Sequence, residues 1–155
     1  MKVNLFVEVS SKCPRMSRKK FIYVLETFRN GDPVTVSGSG SGLLTYHAAS
    51  LASLREALER IQRPCELDIY IQDHYARNAL IWLPELSRRN FRTARGKEAK
   101  NREVLQEIQK LLTKHSFRTF AGKHEFTNWM QTELQKEDGN AGLGRMQILS
   151  STSDD

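Results

Sequence analysis

An amphipathic segment that runs directly into an alternating one sets the strongest limit on how this chain can fold. After Leu43 the apolar positions Leu44, Ala48, Leu51, Leu54, Leu58 and Ile61 recur at helical spacing, and Pro64 marks the stop. The stretch from Glu66 to Ile71 then alternates, with Leu67, Ile69 and Ile71 on one face. A strand entered from a helix of that length implies a parallel crossover, so helices must pack on a sheet. From Lys2 to Val9 the chain alternates as well: Val3, Leu5, Val7 and Val9 share one face, and Phe6 and Glu8 project from the other. Apolar runs at Phe21 to Leu25 and around Val34 and Val36 flank Asn30-Gly31-Asp32-Pro33, a turn signal for antiparallel neighbours.

The run from Ser37 to Gly42, SGSGSG, reads as a loose connection between strand and helix. A helix is expected from Tyr75 to about Leu83, ending before Pro84, and another from about Asn101 to Lys114. A short strand from Phe117 to Phe120 and a last helix near Phe126 to Lys136 follow. The expectation is an α/β domain over residues 1–137 with a mixed five-stranded sheet, three strands antiparallel and the rest parallel, flanked by helices. Residues 138–155 lack periodicity and read as a mobile tail.

The length of 155 residues suits one hydrophobic core. No apolar run approaches the roughly 20 residues that span a bilayer, and the first residues do not resemble a secretion signal. Cys13 and Cys65 have neither a zinc-binding spacing nor a disulfide framework, which makes a reducing cytoplasm the expected compartment. The net charge of +6 is unevenly placed. Arg88, Arg89, Arg92, Arg95, Lys97, Lys100 and Arg102 face only Glu85 and Glu98 between Pro84 and Arg102, with Trp82 and Phe91 nearby. A second group, Lys12, Arg15, Arg18, Lys19 and Lys20, follows the first strand without an acid. A solvated helix face normally mixes signs, so clustering of this kind suits a phosphate-tracking surface.

The stretch RRNFRTARGKEAKNREVLQEI, Arg88 to Ile108, is similar to the basic protrusion of the ribonuclease H type 1 family: an aromatic, then a basic residue, Thr and Ala, more basic residues, and Lys-Asn opening a helix. Phe91, Arg92, Thr93, Ala94, Lys97, Lys100 and Asn101 carry that likeness. The segments YHAASLASLREAL, LDIYIQDHYARNAL and Gly122-Lys123-His124 fall in the family's order, so the resemblance extends to about Leu134. It implies a ribonuclease H-like fold and a monomer that binds RNA/DNA hybrid or duplex through Lys12, Arg88, Arg89, Arg92, Arg95, Lys97 and Lys100. It also implies a metal-dependent endoribonuclease, in which four carboxylates hold two divalent ions against a phosphodiester of the RNA strand.

The family's four acids are only half kept. Glu8 stands on the first strand and Asp73 at the end of the fourth, where the family has Asp. His47 falls where the family has Glu, and Thr132 or the adjacent Gln131 where it has a fourth acid. The resemblance makes Glu8, Asp73 and His47 the expected ligands of magnesium or manganese, with His124 as a loop histidine assisting proton transfer or product release. Imidazole suits manganese better than magnesium and adds no negative charge. Plainer roles stand beside these. Glu8 could be a surface strand residue, Asp73 a helix cap, His47 a helix residue at the sheet edge and His124 a turn residue; Glu125 and Glu133 are further acids near the last helix. The alternative function is a non-catalytic nucleic-acid-binding module that has lost the metal site.

Overall fold

The computed structural model describes residues 1–136 apart from 94 and 98, together with the backbone of 147–149. In chain order the elements are β1 (Lys2–Val9), β2 (Ser17–Arg29), β3 (Asp32–Leu44), α1 (Tyr46–Glu59), β4 (Glu66–Ile71), α2 (His74–Ile81), α3 (Leu83–Arg88), α4 (Arg102–Leu112), β5 (Ser116–Phe120), α5 (Thr127–Leu134) and β6 (Gln147–Leu149). The sheet order is β5-β4-β1-β2-β3-β6. β1 pairs antiparallel with β2, and β2 with β3; β4 lies parallel to both β1 and β5. These five strands are the mixed sheet expected from the sequence. β6 adds a short sixth at the β3 edge, opposite residues 35–37. The rest of the expected mobile tail, 138–146 and 150–155, lies outside the described residues.

The alternation of β1 sets the two layers. Val3, Leu5 and Val7 join Leu67, Ile69 and Ile71 of β4 against Leu51, Leu54 and Leu58 of α1, Leu80 of α2 and Ile108 of α4. On the other face Phe6, Ile22 and Val24 pack on Met130 and Leu134 of α5. One face thus carries most of the helices, and α5 covers only one end of the other. α1 starts where Thr45 accepts a hydrogen bond from the Ala48 N–H at 3.0 Å, a side-chain cap. Asn30 and Gly31 both have positive φ, 54° and 84°, as a two-residue hairpin between right-twisted strands requires. Among the described residues no helix is long and apolar enough to cross a membrane.

One expectation is corrected. The glycine-serine run is not a loose connection but the second half of β3, paired residue by residue with β2. Its glycines make room for rings: a Cβ on Gly38 would stand 2.5 Å from the Tyr23 hydroxyl, and one on Gly40 would stand 2.6 Å from Phe21 Cζ. Composition suggested flexibility, whereas the partner strand supplies the side chains that this strand lacks. The helix expected to end before Pro84 does so, at Ile81, and Pro84 belongs to the next one. It sits in the first turn of α3, where a missing N–H costs nothing.

On the sheet face that α5 leaves uncovered, Asp68 accepts from Arg118 Nε and Nη2 at 3.1 and 3.0 Å and meets Lys2 Nζ at 2.9 Å. Burial alone would raise the Asp68 carboxyl, but Arg118 and Lys2 outweigh it and hold the group below the ordinary aspartate value. A depressed carboxylate stabilises the fold above its unfolded pKa and loses that contribution as pH falls through the folded one. Asp68→Asn is therefore expected to cost about 1 kcal/mol at pH 7, the exposed cations limiting the effect. That difference should shrink below about pH 4 in denaturant melts. An equal cost at pH 7 and at about pH 2.5 would show that charge is not its origin.

Candidate functional site

Near its C-terminal end, β1 carries Glu8 onto the α5 face, where its side chain is 6% exposed. Three donors close on its carboxylate. Gln131 Nε2 of α5 reaches Oε1 at 2.9 Å, and His124 Nε2 and Gln72 Nε2 reach Oε2 at 2.9 and 3.4 Å. The tautomer of His124 follows from its other nitrogen: Nδ1 accepts the Phe126 N–H at 3.1 Å, so Nε2 carries the proton and donates it to Glu8. The ring is 3% exposed and packs against Phe6, with centroids 4.6 Å apart. The structure therefore presents His124 as a fixed partner of Glu8 rather than as an open loop residue. Gln72 also bonds across to Gly122, donating to its carbonyl at 2.9 Å and accepting its N–H at 2.8 Å, which ties β4 to the loop before α5.

Asp73 lies two residues past the end of β4 and caps α2, with Oδ1 accepting the Tyr75 N–H at 2.9 Å. Oδ2 accepts from His47 Nδ1 at 2.8 Å, so the capping and site roles coexist in one buried carboxylate. His47 lies in the first turn of α1 and packs at a tilt against Tyr75, with ring centroids 4.5 Å apart. Its side chain is 40% exposed, and Nε2 has no partner among the described residues. Tyr75 continues outward. Its hydroxyl donates to the Lys100 carbonyl at 3.2 Å and accepts Asn101 Nδ2 at 3.3 Å, joining the Asp73–His47 pair to the end of the basic segment.

The site residues are thus brought together as two carboxylate–histidine pairs. Tyr46, which stands between them, feels both: burial first, then the charges of Asp73 and Glu8, push its hydroxyl up to about 12 despite the opposing effect of Arg77. The hollow beside Glu8 is lined by Lys12, Tyr46, Ser50 and Gln72 and has a volume of 10 Å³, room for about one water. Asp73 and His47 are not in its lining. Among the described residues no three His, Cys, Asp or Glu side chains come together as a metal centre. A magnesium pair needs several free anionic oxygens. Here three donors hold Glu8, two hold Asp73, and the position of a fourth acid is filled by the Gln131 amide. These residues do not fit the two ions that the resemblance implies. Glu125 and Glu133 supply no substitute, because Glu125 is hydrogen-bonded to Glu26 and Glu133 to Lys136.

The basic segments flank this site. Arg88 and Arg89 are exposed at the end of α3, and Arg92, Arg95, Lys97 and Lys100 are exposed on the loop beyond it, which is closed by Ala99 N–H to Phe91 O at 2.8 Å and Thr93 N–H to Lys97 O at 2.6 Å. Arg88 and Arg89 both pair with Glu85. Phe91 is not an exposed aromatic but part of the core, and it is Trp82, 59% exposed, that stands free beside the basic loop. Lys12, Arg15 and Arg18 are exposed, but Lys19 is fully buried. Its ammonium donates to the Arg15 and Leu44 carbonyls at 2.7 and 2.9 Å and to Ser17 Oγ at 2.7 Å, anchoring the loop that carries the others. Gln72, Tyr46 and Tyr75 were not legible as site residues. The only signal was adjacency to Asp73 and His47.

No protein-family profile matches the sequence. Ribonuclease H of Nitratidesulfovibrio vulgaris (strain DP4) is 35% identical over 89 residues, 56% of this chain and 56% of that protein. Ribonuclease H of Thermus thermophilus is 32% identical over 81 residues, 51% and 49% of the two chains. The chain spans about half the length of these curated relatives. Among solved structures, LC9-RNase H1, a type 1 RNase H with the type 2 active-site motif, superposes with a TM-score of 0.71 at 15% identity, covering 97% of this chain and 77% of that one. The RNase H domain of a foamy virus gives 0.61 at 15% identity, covering 86% and 90%. A foamy viral protease-reverse transcriptase in complex with RNA/DNA hybrid gives 0.62 at 13%, covering 86% and 18%. The chain has the ribonuclease H fold, and over about half its length its sequence is similar to proteins named ribonuclease H.

Proposed function

We propose that this protein binds RNA/DNA hybrid or duplex nucleic acid, laid across the basic loop after α3 and the Lys12 loop, with the Glu8 and Asp73 pairs beneath the RNA strand. The observation that carries this reading is the placement of the two basic segments. Far apart in sequence, they flank one site, Lys12 in the hollow beside Glu8 and Lys100 bonded through its carbonyl to Tyr75 over Asp73. Phosphate contacts from exposed Arg and Lys supply affinity without reading sequence, and A-form shape is what such a surface selects. The name ribonuclease H shared by the relatives agrees with that partner.

Hydrolysis of the RNA strand is a second reading, favoured by His47. Asp73 fixes its Nδ1 and leaves Nε2 on an exposed edge, the arrangement of a proton acceptor. Fluorescence anisotropy with a labelled hybrid, followed by electrophoresis of the same mixture in magnesium and in manganese, tests both. Binding that is indifferent to base sequence is expected, and no binding at low salt would refute the proposal. Cleavage lost in Asp73→Asn and His47→Ala would add the nuclease reading; intact hybrid in both metals would leave a binding module.

A further inference from the structure

We infer that this site meets nucleic acid without a divalent metal, because hydrogen-bond donors of the protein itself occupy the carboxylate oxygens that a cation would need. The inference rests on the nucleic-acid-binding reading and concerns how the same site works. An ionised carboxylate offers about four lone-pair directions. On Glu8 three of them are taken, by Gln131, His124 and Gln72. On Asp73 the Tyr75 N–H and His47 Nδ1 take one on each oxygen.

Those donors leave a cation about one open direction on Glu8 and two on Asp73, and most of them are held in place. His124 is buried between the β1 and β4 rings with its tautomer fixed by Phe126. Gln131 is carried on α5 between the buried Met130 and Leu134, and Gln72 is locked in two bonds to Gly122. The Tyr75 N–H belongs to the first turn of α2, so uncapping it loosens that helix. Magnesium dehydrates reluctantly and demands near-octahedral oxygen ligands, so it gains least where so few carboxylate directions are open. Lys12 supplies the countercharge that a metal would otherwise bring. It lines the hollow with Glu8 and is exposed, so its charge is available to a phosphate that approaches there.

Two measurements on the full chain test this. Hybrid affinity is compared in EDTA and in magnesium at matched ionic strength, and manganese uptake is followed by the loss of the free-ion electron paramagnetic resonance signal. The expected results are dissociation constants within about twofold of each other and a manganese signal that the parent protein leaves undiminished. Gln131→Asp combined with His47→Glu removes one donor from each carboxylate and adds two acids, and this variant should take up manganese. Where the pair unfolds the chain, Gln131→Asp alone serves for the same comparison. Stoichiometric uptake by the parent overturns the inference, as does an affinity that falls about tenfold or more in EDTA. A folded variant that takes up no more manganese than the parent overturns it too, since the donors are then not what excludes the ion. Absence of hybrid binding under every condition counts instead against the binding reading, while the manganese result still judges the site.

Discussion

Arg92→Glu with Lys97→Glu is expected to weaken hybrid binding about 100-fold near physiological salt while leaving the melting temperature almost unchanged. Both side chains are exposed on the loop after α3, away from the core, so the fold loses little. Binding loses two phosphate contacts and gains two repulsions, and the effect should be the same on hybrids of any base sequence. The slope of log affinity against log salt should also become shallower by about two, which separates lost ion release from a general loss of structure. Competition anisotropy at three salt concentrations measures both quantities. An unchanged affinity would remove the basic loop from the interface and leave the Lys12 side to carry it.

The elements that declared themselves in the sequence did so through periodicity. The Lys2 to Val9 alternation, the α1 heptad-like spacing and the Glu66 to Ile71 strand each bury one stripe, and burial is what periodicity reports. Glu8 and Asp73 could be placed on a strand and at a strand end for the same reason. What closes around them could not. Gln131, Gln72 and His124 reach Glu8 from three separate segments, 123, 64 and 116 residues away, and nothing local in their neighbourhoods marks a partner. Lys19 and Phe91 show the opposite failure. Both look like surface residues by their basic neighbours, yet Lys19 is buried because three oxygens receive its ammonium, and Phe91 because it joins the core cluster that includes Leu83, Leu105 and Ile108. The glycine-serine strand misled for a related reason, since its core-facing volume belongs to Tyr23 and Phe21 on the strand beside it.

That borrowed volume gives the largest effect expected on stability. Gly40→Val would place a Cβ 2.6 Å from Phe21 Cζ, and Phe21 is buried against Val9 and Ala49. Gly38→Val would strike the Tyr23 ring in the same way. Overpacking usually costs about 1–3 kcal/mol, and displacing a buried ring from its cross-strand glycine adds to it, so each variant is expected to lose about 3 kcal/mol or more. Urea melts against the parent measure this. Gly40→Val combined with Phe21→Ala should recover part of the loss, because removing the ring makes space for the new side chain. If Gly40→Val alone melts with the parent, the ring does not lie over the glycine and the account of β3 is wrong.

The salt dependence of hybrid binding by the unaltered protein tests the central claim most directly. Lys12, Arg92, Arg95, Lys97 and Lys100 are exposed cations on the two loops, and phosphate contacts by most of them predict a log–log slope of about −4, with affinity independent of base sequence. A slope near zero, or no binding at low salt, would contradict the account.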